Sequence, residues 1–189
     1  FNKQADGTVT ELPKKNVDTG MGLERVVAVL EGVNDNYKSS VWKDIISLIE
    51  EISNKTYEGN EKSMRIIADH IRTAVFISAD PAGIKPSNTD QGYILRRLIR
   101  RAIRHCKNLN IDINSNWEEK IAIAIMDKYK KYYKEIETNR EIVLEVLKNE
   151  KVKFNRTIEK GLREFEKIVN NLTDNIINKD LAFKLYDTY

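Results

Sequence analysis

Residues 85–107 read KPSNTDQGYILRRLIRRAIRHCK and combine a helix start with a long helical pattern. Pro86 and Ser87 interrupt whatever precedes them. Asn88 or Thr89 can then cap a helix, because a short oxygen-bearing side chain accepts hydrogen bonds from the first backbone N–H groups. From Tyr93 onward, apolar residues recur at spacings of three and four, which places them on one helical face. The residues of this face are Leu95, Leu98, Ile99, Ala102, Ile103 and Cys106.

The remaining face of this helix carries an arginine-rich stripe. Its members are Arg96, Arg97, Arg100, Arg101 and Arg104. Most charged helix faces are simply solvated, but such faces mix signs, and the only acid between Lys85 and Lys107 is Asp90. A guanidinium group presents two donors at once to phosphate oxygens. We therefore predict a polyanion-binding surface, with nucleic-acid backbone as the favoured ligand and Asn88 at its edge as the candidate for reading bases.

The composition describes a charge-rich globular protein of 189 residues, with 41% hydrophobic and 32% charged residues. The net charge of +3 is small, so affinity for nucleic acid has to come from positive side chains clustered on one surface. No apolar run has membrane-spanning length and no signal peptide opens the sequence. One cysteine and two histidines predict neither an internal disulfide nor a metal site. We expect a cytoplasmic protein.

The first residues are the only part with a β pattern. Phe1–Gln4 and Thr8–Leu12 predict two strands joined at Ala5–Gly7, because Asp-Gly is a strong hairpin signal. The fold class predicted for the chain is mostly α with this small β remnant. Besides the helix within residues 85–107 and a first helix over residues 23–31, helices are predicted over residues 39–53, 61–79, 117–136 and 137–172. Residues 110–116 are predicted to be a polar linker.

The last long helix shows two heptad-spaced apolar series. One contains Leu147, Phe154 and Ile168, and the other contains Ile158, Phe165 and Leu172. This spacing predicts an arm that packs against the other helices along its length.

A glycine turn precedes the first helix. Asn16–Asp18 is predicted to be a short strand, Gly20 and Gly22 form the turn, and the helix over 23–31 buries Val26, Val27 and Leu30. Glycines let a ligand approach the backbone, and a helix N-terminus together with Arg25 favours an anion there. Asp18 can hold an ammonium group beside it. The alternative is a plain β-turn-α corner in which Arg25 pairs with Glu24 or Glu31, and the spacing alone does not choose between them.

TGMGLER, preceded by Asp18 and followed by an apolar helix, resembles motif 3 of class II aminoacyl-tRNA synthetases. Four further stretches narrow the resemblance to the alanyl-tRNA synthetase family. They are FNKQADGT, RIIADHIRTAVFISAD, KPSNTDQGYILRRLIRRAIRH and LAFKLYDTY. The resemblance implies the end of an antiparallel-sheet catalytic domain over residues 1–35, followed by a helical tRNA-recognition domain over residues 36–189.

The resemblance also implies roles for individual residues. Arg25, with Gly20 and Gly22, would bind ATP, which enters the reaction with Mg²⁺, and Arg25 would contact the γ-phosphate. Asp18 and Gly20 would line the alanine pocket, and Asp18 and Arg25 would be the catalytic residues. Asn88 and Asp187 would read a G·U wobble pair in the acceptor stem of tRNA(Ala). The arginine stripe would bind the RNA around that pair.

Motifs 1 and 2 of the class do not occur in this sequence. The resemblance therefore implies an internal fragment of an alanine–tRNA ligase, one that does not form alanyl-adenylate alone and does not bind the zinc of the intact enzyme. The alternative is an α-helical RNA-binding or scaffolding module without catalysis, in which the glycine turn is purely structural.

Overall fold

The computed structural model describes residues 1–14, 19–172 and 176–188, and it separates into two units, Phe1–Val41 and Trp42–Tyr189. The first unit opens with a hairpin of two short strands, β1 (Asn2–Lys3) and β2 (Val9–Thr10). The strands are antiparallel, with Asn2 opposite Thr10 and Lys3 opposite Val9. The Asp6 carboxylate accepts a hydrogen bond from the backbone N–H of Thr8 at 2.9 Å, which stabilises the turn. The predicted hairpin is confirmed, with shorter strands than expected.

Helix α1 (Leu23–Leu30) follows in the same unit, and a short 3₁₀ turn spans Asn36–Lys38. Ala28 is the buried residue of α1. The prediction that Leu30 is buried is wrong, because its side chain is 80% exposed. The described sheet of this unit has two strands of two residues each, which is too small a surface to cover the apolar side of a helix. The predicted strand over Asn16–Asp18 lies outside the described residues.

The second unit is helical. Its helices are α2 (Lys43–Ser53), α3 (Glu61–Ala79), α4 (Asp90–Asn108), α5 (Trp117–Tyr129), α6 (Lys134–Thr138), α7 (Arg140–Asn170) and α8 (Lys179–Thr188). Together with the hairpin, they confirm the predicted fold class. The assignment of the two parts of the chain to catalysis and to tRNA recognition stays a prediction.

Helix α3 lies at the centre of the second unit, in contact with α2, α4, α5, α6 and α7. Its predicted inner face is confirmed, since Met64, Ile67 and Ile71 are completely buried. Burial of one such side chain contributes roughly 1.5–3 kcal/mol relative to leaving it in water. The tightest partner of α3 is α4, whose predicted apolar face is also buried, apart from Leu98, which is half-buried.

The largest departure from the predicted bounds is between α5 and α7. The helix predicted over 117–136 ends at Tyr129, and α6 begins separately at Lys134. Between them the chain turns so that the rings of Tyr129 and Tyr133 meet Phe76 of α3 edge to face, at centroid distances of 5.2 and 5.0 Å. This aromatic cluster is a tertiary contact, which helical periodicity along the chain cannot reveal.

Helix α7 packs as predicted over its first half and at Ile168, which is buried in the second half. Val143 and Leu147 are buried, and α7 contacts α3, α4 and α5. The prediction of packed heptads along the whole helix is wrong for Phe165, which is 43% exposed. Leu162, also in the second half, is 50% exposed. Because packing against the other helices buries only part of the helix, the heptad pattern alone overestimates its core.

Candidate functional site

The glycine turn of the first unit leads directly into α1. Gly22 is the N-cap of the helix, and its carbonyl oxygen accepts a hydrogen bond from Val26 N at 3.0 Å. A Cβ atom added at Gly20 would meet nothing within 4 Å, and one added at Gly22 would meet only the side chain of Arg25, at 3.5 Å. A larger side chain at either glycine would therefore not clash with this unit, and the space beside the backbone is open to a ligand.

Arg25 is exposed and forms no ion pair with a described residue. The alternative partner Glu31 is engaged elsewhere, because its carboxylate accepts hydrogen bonds from the backbone N–H of Ser40 at 2.8 Å and from the Ser40 hydroxyl. The Arg25 guanidinium is therefore available to an anion. Asp18, the predicted ammonium ligand, lies outside the described residues.

In the second unit, a tight turn holds Asn88 at the start of α4. The backbone N–H of Ser87 donates to the carbonyl oxygen of Gly92 at 3.0 Å, and the Ser87 hydroxyl donates to the carbonyl oxygen of Thr89 at 2.8 Å. A Cβ atom at Gly92 would lie 2.4 Å from both Lys85 O and Ser87 Oγ. Only glycine allows this approach. Sequence reasoning missed Gly92, although a glycine inside an amphipathic helix costs about 1 kcal/mol and so indicates a packing requirement.

The side chain of Asn88 is exposed, and Arg96 fixes its orientation. Arg96 Nη1 donates a hydrogen bond to Asn88 Oδ1. Because a guanidinium group has donors and no acceptor, the amide oxygen of Asn88 has to face Arg96. The Nδ2 amide hydrogens of Asn88 are then the part of the side chain left for another partner. Thr89, rather than Asn88, occupies the N-cap position, and neither side chain caps the helix.

The five arginines of α4 divide into two groups. Arg96 contacts Asn88, and Arg100 Nε donates to Glu150 Oε1 of α7 at 2.6 Å while its guanidinium lies 4.9 Å from the centroid of the Phe154 ring. Glu150 is buried, so this ion pair joins α4 to α7.

Arg97, Arg101 and Arg104 form the second group, which is exposed at spacings of four and three residues. Like charges at these spacings destabilise a helix by roughly 0.2–0.5 kcal/mol per pair. No described carboxylate forms an ion pair with any of the three. An anionic ligand would relieve this repulsion.

Asp187 lies exposed on α8, which packs against α7. Lys184, one turn earlier, bonds Glu164 of α7 at 3.3 Å. Among the described residues, no hydrogen bond or ion pair joins Asp187 to Asn88. The expected convergence of these two residues on one base pair stays a prediction.

A buried polar cluster ties residues 113–118 to α7. Lys151 Nζ lies 2.5 Å from Glu118 Oε1 and donates to the carbonyl oxygen of Ser115 at 2.7 Å. Asn155 Nδ2 donates to the carbonyl oxygen of Ile113 at 3.2 Å. The pKa of the neighbouring Cys106 thiol is raised, first by burial and then by the Glu118 carboxylate. The segment predicted to be a polar linker is therefore held firmly against α7.

His105 joins the last turns of α4 to the first turn of α3. Its Nδ1 lies 3.1 Å from the hydroxyl oxygen of Ser63. Burial lowers the pKa of His105, and the positive charges of Arg101 and Arg104 lower it further, which favours the neutral imidazole. The hydrogen bond between Ser63 and His105 therefore joins two uncharged groups on the part of α4 that carries Arg101 and Arg104.

The described part of the chain offers neither a metal site nor a membrane-spanning helix. Across residues 1–14, 19–172 and 176–188, no group of three His, Cys, Asp or Glu side chains is placed to hold a metal ion. Within the same ranges, every helix is too short or too polar to cross a bilayer.

Comparisons with known proteins identify the family of the chain. The sequence model of the family described as tRNA synthetases class II (A) matches residues 1–189. The chain is 41% identical over 189 residues to the alanine–tRNA ligase of Pseudoalteromonas translucida (strain TAC 125), covering 100% of this chain and 21% of that protein. It is 44% identical over 192 residues to the alanine–tRNA ligase of Borreliella afzelii (strain PKo), covering 100% of this chain and 32% of that protein.

The matched region spans from about a fifth to a third of the length of these relatives. Because the family's sequence model matches the chain from its first residue to its last, the chain belongs to the class II (A) family of tRNA synthetases.

Proposed function

We propose that this chain contributes acceptor-stem recognition and part of an ATP site to an alanine–tRNA ligase of the cytoplasm. The reaction joins alanine to ATP as alanyl-adenylate and then transfers the alanyl group to tRNA(Ala). Relatives of that name, 41–44% identical over the whole chain, support the reaction class. The observation that carries the RNA-binding part is the exposed Asn88, which the Gly92 turn and Arg96 hold at the start of α4. The same helix carries three exposed arginines, Arg97, Arg101 and Arg104, that pair with no described carboxylate.

Asn88 is proposed to read the acceptor stem, together with Asp187. A shallow groove of RNA exposes base-edge donors and acceptors. An amide whose oxygen is occupied by Arg96 offers its N–H groups to base-edge acceptors, and a carboxylate such as Asp187 accepts from base-edge amino groups. The two side chains therefore have complementary chemistry, which suits the recognition of one G·U pair against G·C.

The test is binding of two short RNA duplexes that differ only in a G·U or a G·C pair. Asn88→Ala is expected to remove the preference for G·U, a discrimination of roughly 1–3 kcal/mol. Asn170→Ala is the matched control, because Asn170 is exposed at the distant end of α7. If Asn88→Ala kept the full preference, Asn88 would be only a support for the turn.

The first unit is proposed to bind the triphosphate of ATP. Gly20 and Gly22 leave the backbone open, and the exposed Arg25 supplies a charge-assisted contact to a phosphate oxygen. This donor set suits an anion, so Mg²⁺ would arrive with the nucleotide, and Asp18 would hold the ammonium group of alanine.

Arg25→Ala is expected to weaken the interaction with MgATP by roughly 2–3 kcal/mol. Arg163→Ala, an exposed arginine of α7, is the control. The measurement is MgATP binding by calorimetry, and unchanged affinity would show that Arg25 has no phosphate contact.

A second candidate is an RNA-binding module without chemistry. The observation in its favour is that the Asn88 turn and the exposed arginines all belong to the second unit, Trp42–Tyr189. RNA binding by a protein that does not bind MgATP would favour this candidate, and binding of both ligands would favour the ligase.

A further inference from the structure

The arginine stripe of α4 does not act as one surface. Arg96 is engaged with Asn88, and Arg100 is engaged with the buried Glu150. Arg97, Arg101 and Arg104 remain exposed along one side of the helix. With a rise of 1.5 Å per residue, this side extends about 10 Å from the first of the three to the last.

The positive charge continues from α4 onto α3. The contact between Ser63 and His105 at 3.1 Å places the first turn of α3 beside the last turns of α4. Lys62 is exposed in that first turn. Lys62, Arg101 and Arg104 all act on the same imidazole, because each of these cations lowers the pKa of His105. Lys62 adjoins Ser63, and Arg101 and Arg104 lie within about one turn of His105, so the three cations lie near the junction of the two helices.

Glu61, the acid adjacent to Lys62 in sequence, is engaged by other groups. The carboxylate of Glu61 is engaged by the backbone at Gly59 and lies near Arg65, and these interactions lower the pKa of Glu61. No described carboxylate forms an ion pair with Lys62, Arg97, Arg101 or Arg104. Unpaired cations from two helices facing one region are the arrangement that a polyanion neutralises.

We propose that the RNA backbone binds a two-helix surface formed by Lys62, Arg97, Arg101 and Arg104, and that Arg96 and Arg100 lie outside it. This inference rests on the proposed function, since it takes the ligand to be RNA. It adds α3 to the RNA-binding surface and removes two arginines from it. Arg96 and Arg100 are positioning residues, which act through Asn88 and Glu150 respectively.

Counterion release gives the proposal a measurable signature. Each phosphate neutralised by a cation changes the slope of log K against log salt by about −0.9 for a duplex, so four contacts correspond to a slope of about −3.6. The experiment titrates the protein with a short blunt-ended RNA duplex between about 50 and 200 mM salt.

Four single variants test the members of the surface. Lys62→Gln, Arg97→Gln, Arg101→Gln and Arg104→Gln are each expected to make the slope shallower by about 0.9. Lys120→Gln, at an exposed lysine of α5, is the matched control and is expected to leave the slope unchanged.

A double variant tests the exclusion of Arg100. Arg100→Gln with Glu150→Gln removes the ion pair without leaving a buried charge, and its circular dichroism spectrum reports whether the helices persist. The slope of this variant is expected to equal that of the wild type.

The two-helix surface would be overturned if Lys62→Gln left the salt-dependence slope unchanged. It would also be overturned if the double variant made that slope shallower by about 0.9. Either result would leave the proposal of RNA binding intact. Failure of the wild type to bind the RNA duplex, with binding of an acidic polypeptide such as polyglutamate instead, would overturn both this inference and the RNA-binding part of the proposed function.

Discussion

Replacing Gly92 with alanine tests whether the turn over residues 85–87 holds Asn88 against α4. The added Cβ atom would lie 2.4 Å from Lys85 O, 2.4 Å from Ser87 Oγ and 2.9 Å from Ser87 Cβ. One of these atoms belongs to the backbone and another is Cβ, so rotating a flexible side chain cannot relieve the clash. The turn has to move away from the helix, and the hydrogen bond from Ser87 N to Gly92 O is lost with it.

Gly92→Ala changes the free energy of unfolding through contributions of opposite sign. Alanine is favoured over glycine inside a helix by about 1 kcal/mol. Overpacking costs roughly 1–3 kcal/mol, and a lost hydrogen bond costs about 1 kcal/mol. Gly92→Ala is therefore expected to destabilise the protein by roughly 1–3 kcal/mol, although it raises helix propensity.

Urea unfolding followed by circular dichroism measures the stability, and binding to the G·U and G·C duplexes measures the preference that Asn88 provides. The preference should fall while the salt dependence of binding stays the same. Ser87→Gly combined with Gly92→Ala should recover part of the loss, because it removes the Ser87 side chain from the clash. If Gly92→Ala stabilised the protein by about 1 kcal/mol, the close approach of the turn would be refuted.

Three further predictions concern the surroundings of the site. Lys151→Met should destabilise the protein by roughly 3–5 kcal/mol in urea unfolding, because it leaves the buried Glu118 carboxylate unpaired. Adding Glu118→Leu should recover most of that loss. An equally large loss in the double variant would contradict this explanation. Arg96→Leu should free the Asn88 amide to rotate and reduce the G·U preference with an unchanged salt slope, whereas a shallower slope would make Arg96 a phosphate ligand. Asp90 has a φ of +50°, so Asp90→Gly should be about 1 kcal/mol more stable than Asp90→Ala in thermal unfolding, the reverse of the usual helical order.

Much of the helical architecture could be predicted from local pattern. Helix α3 occupies the predicted residues 61–79, and its apolar series is buried. The apolar face of α4 was likewise evident, because residues three and four apart always share a helical face. The candidate residues Arg25 and Asn88 are exposed, as a binding role requires, but their ligands stay predictions.

The parts that could not be predicted depend on contacts between distant residues. Periodicity placed five arginines opposite the core, but it could not show that Arg100 meets Glu150, which lies on a helix fifty residues later. Nor could it show that Leu162 and Phe165 remain exposed, since an apolar stripe is buried only where another element covers it.

The apolar faces of α3 and α4 and the cationic face of α4 can be derived from the sequence alone, because they follow from residue spacing along one helix. Three other features are evident only from the folded chain: which cations lack a carboxylate partner, why Gly92 has to be glycine, and that Lys62 lies near the end of α4. Each of these depends on the distance between atoms of separate elements, and that distance is set by packing.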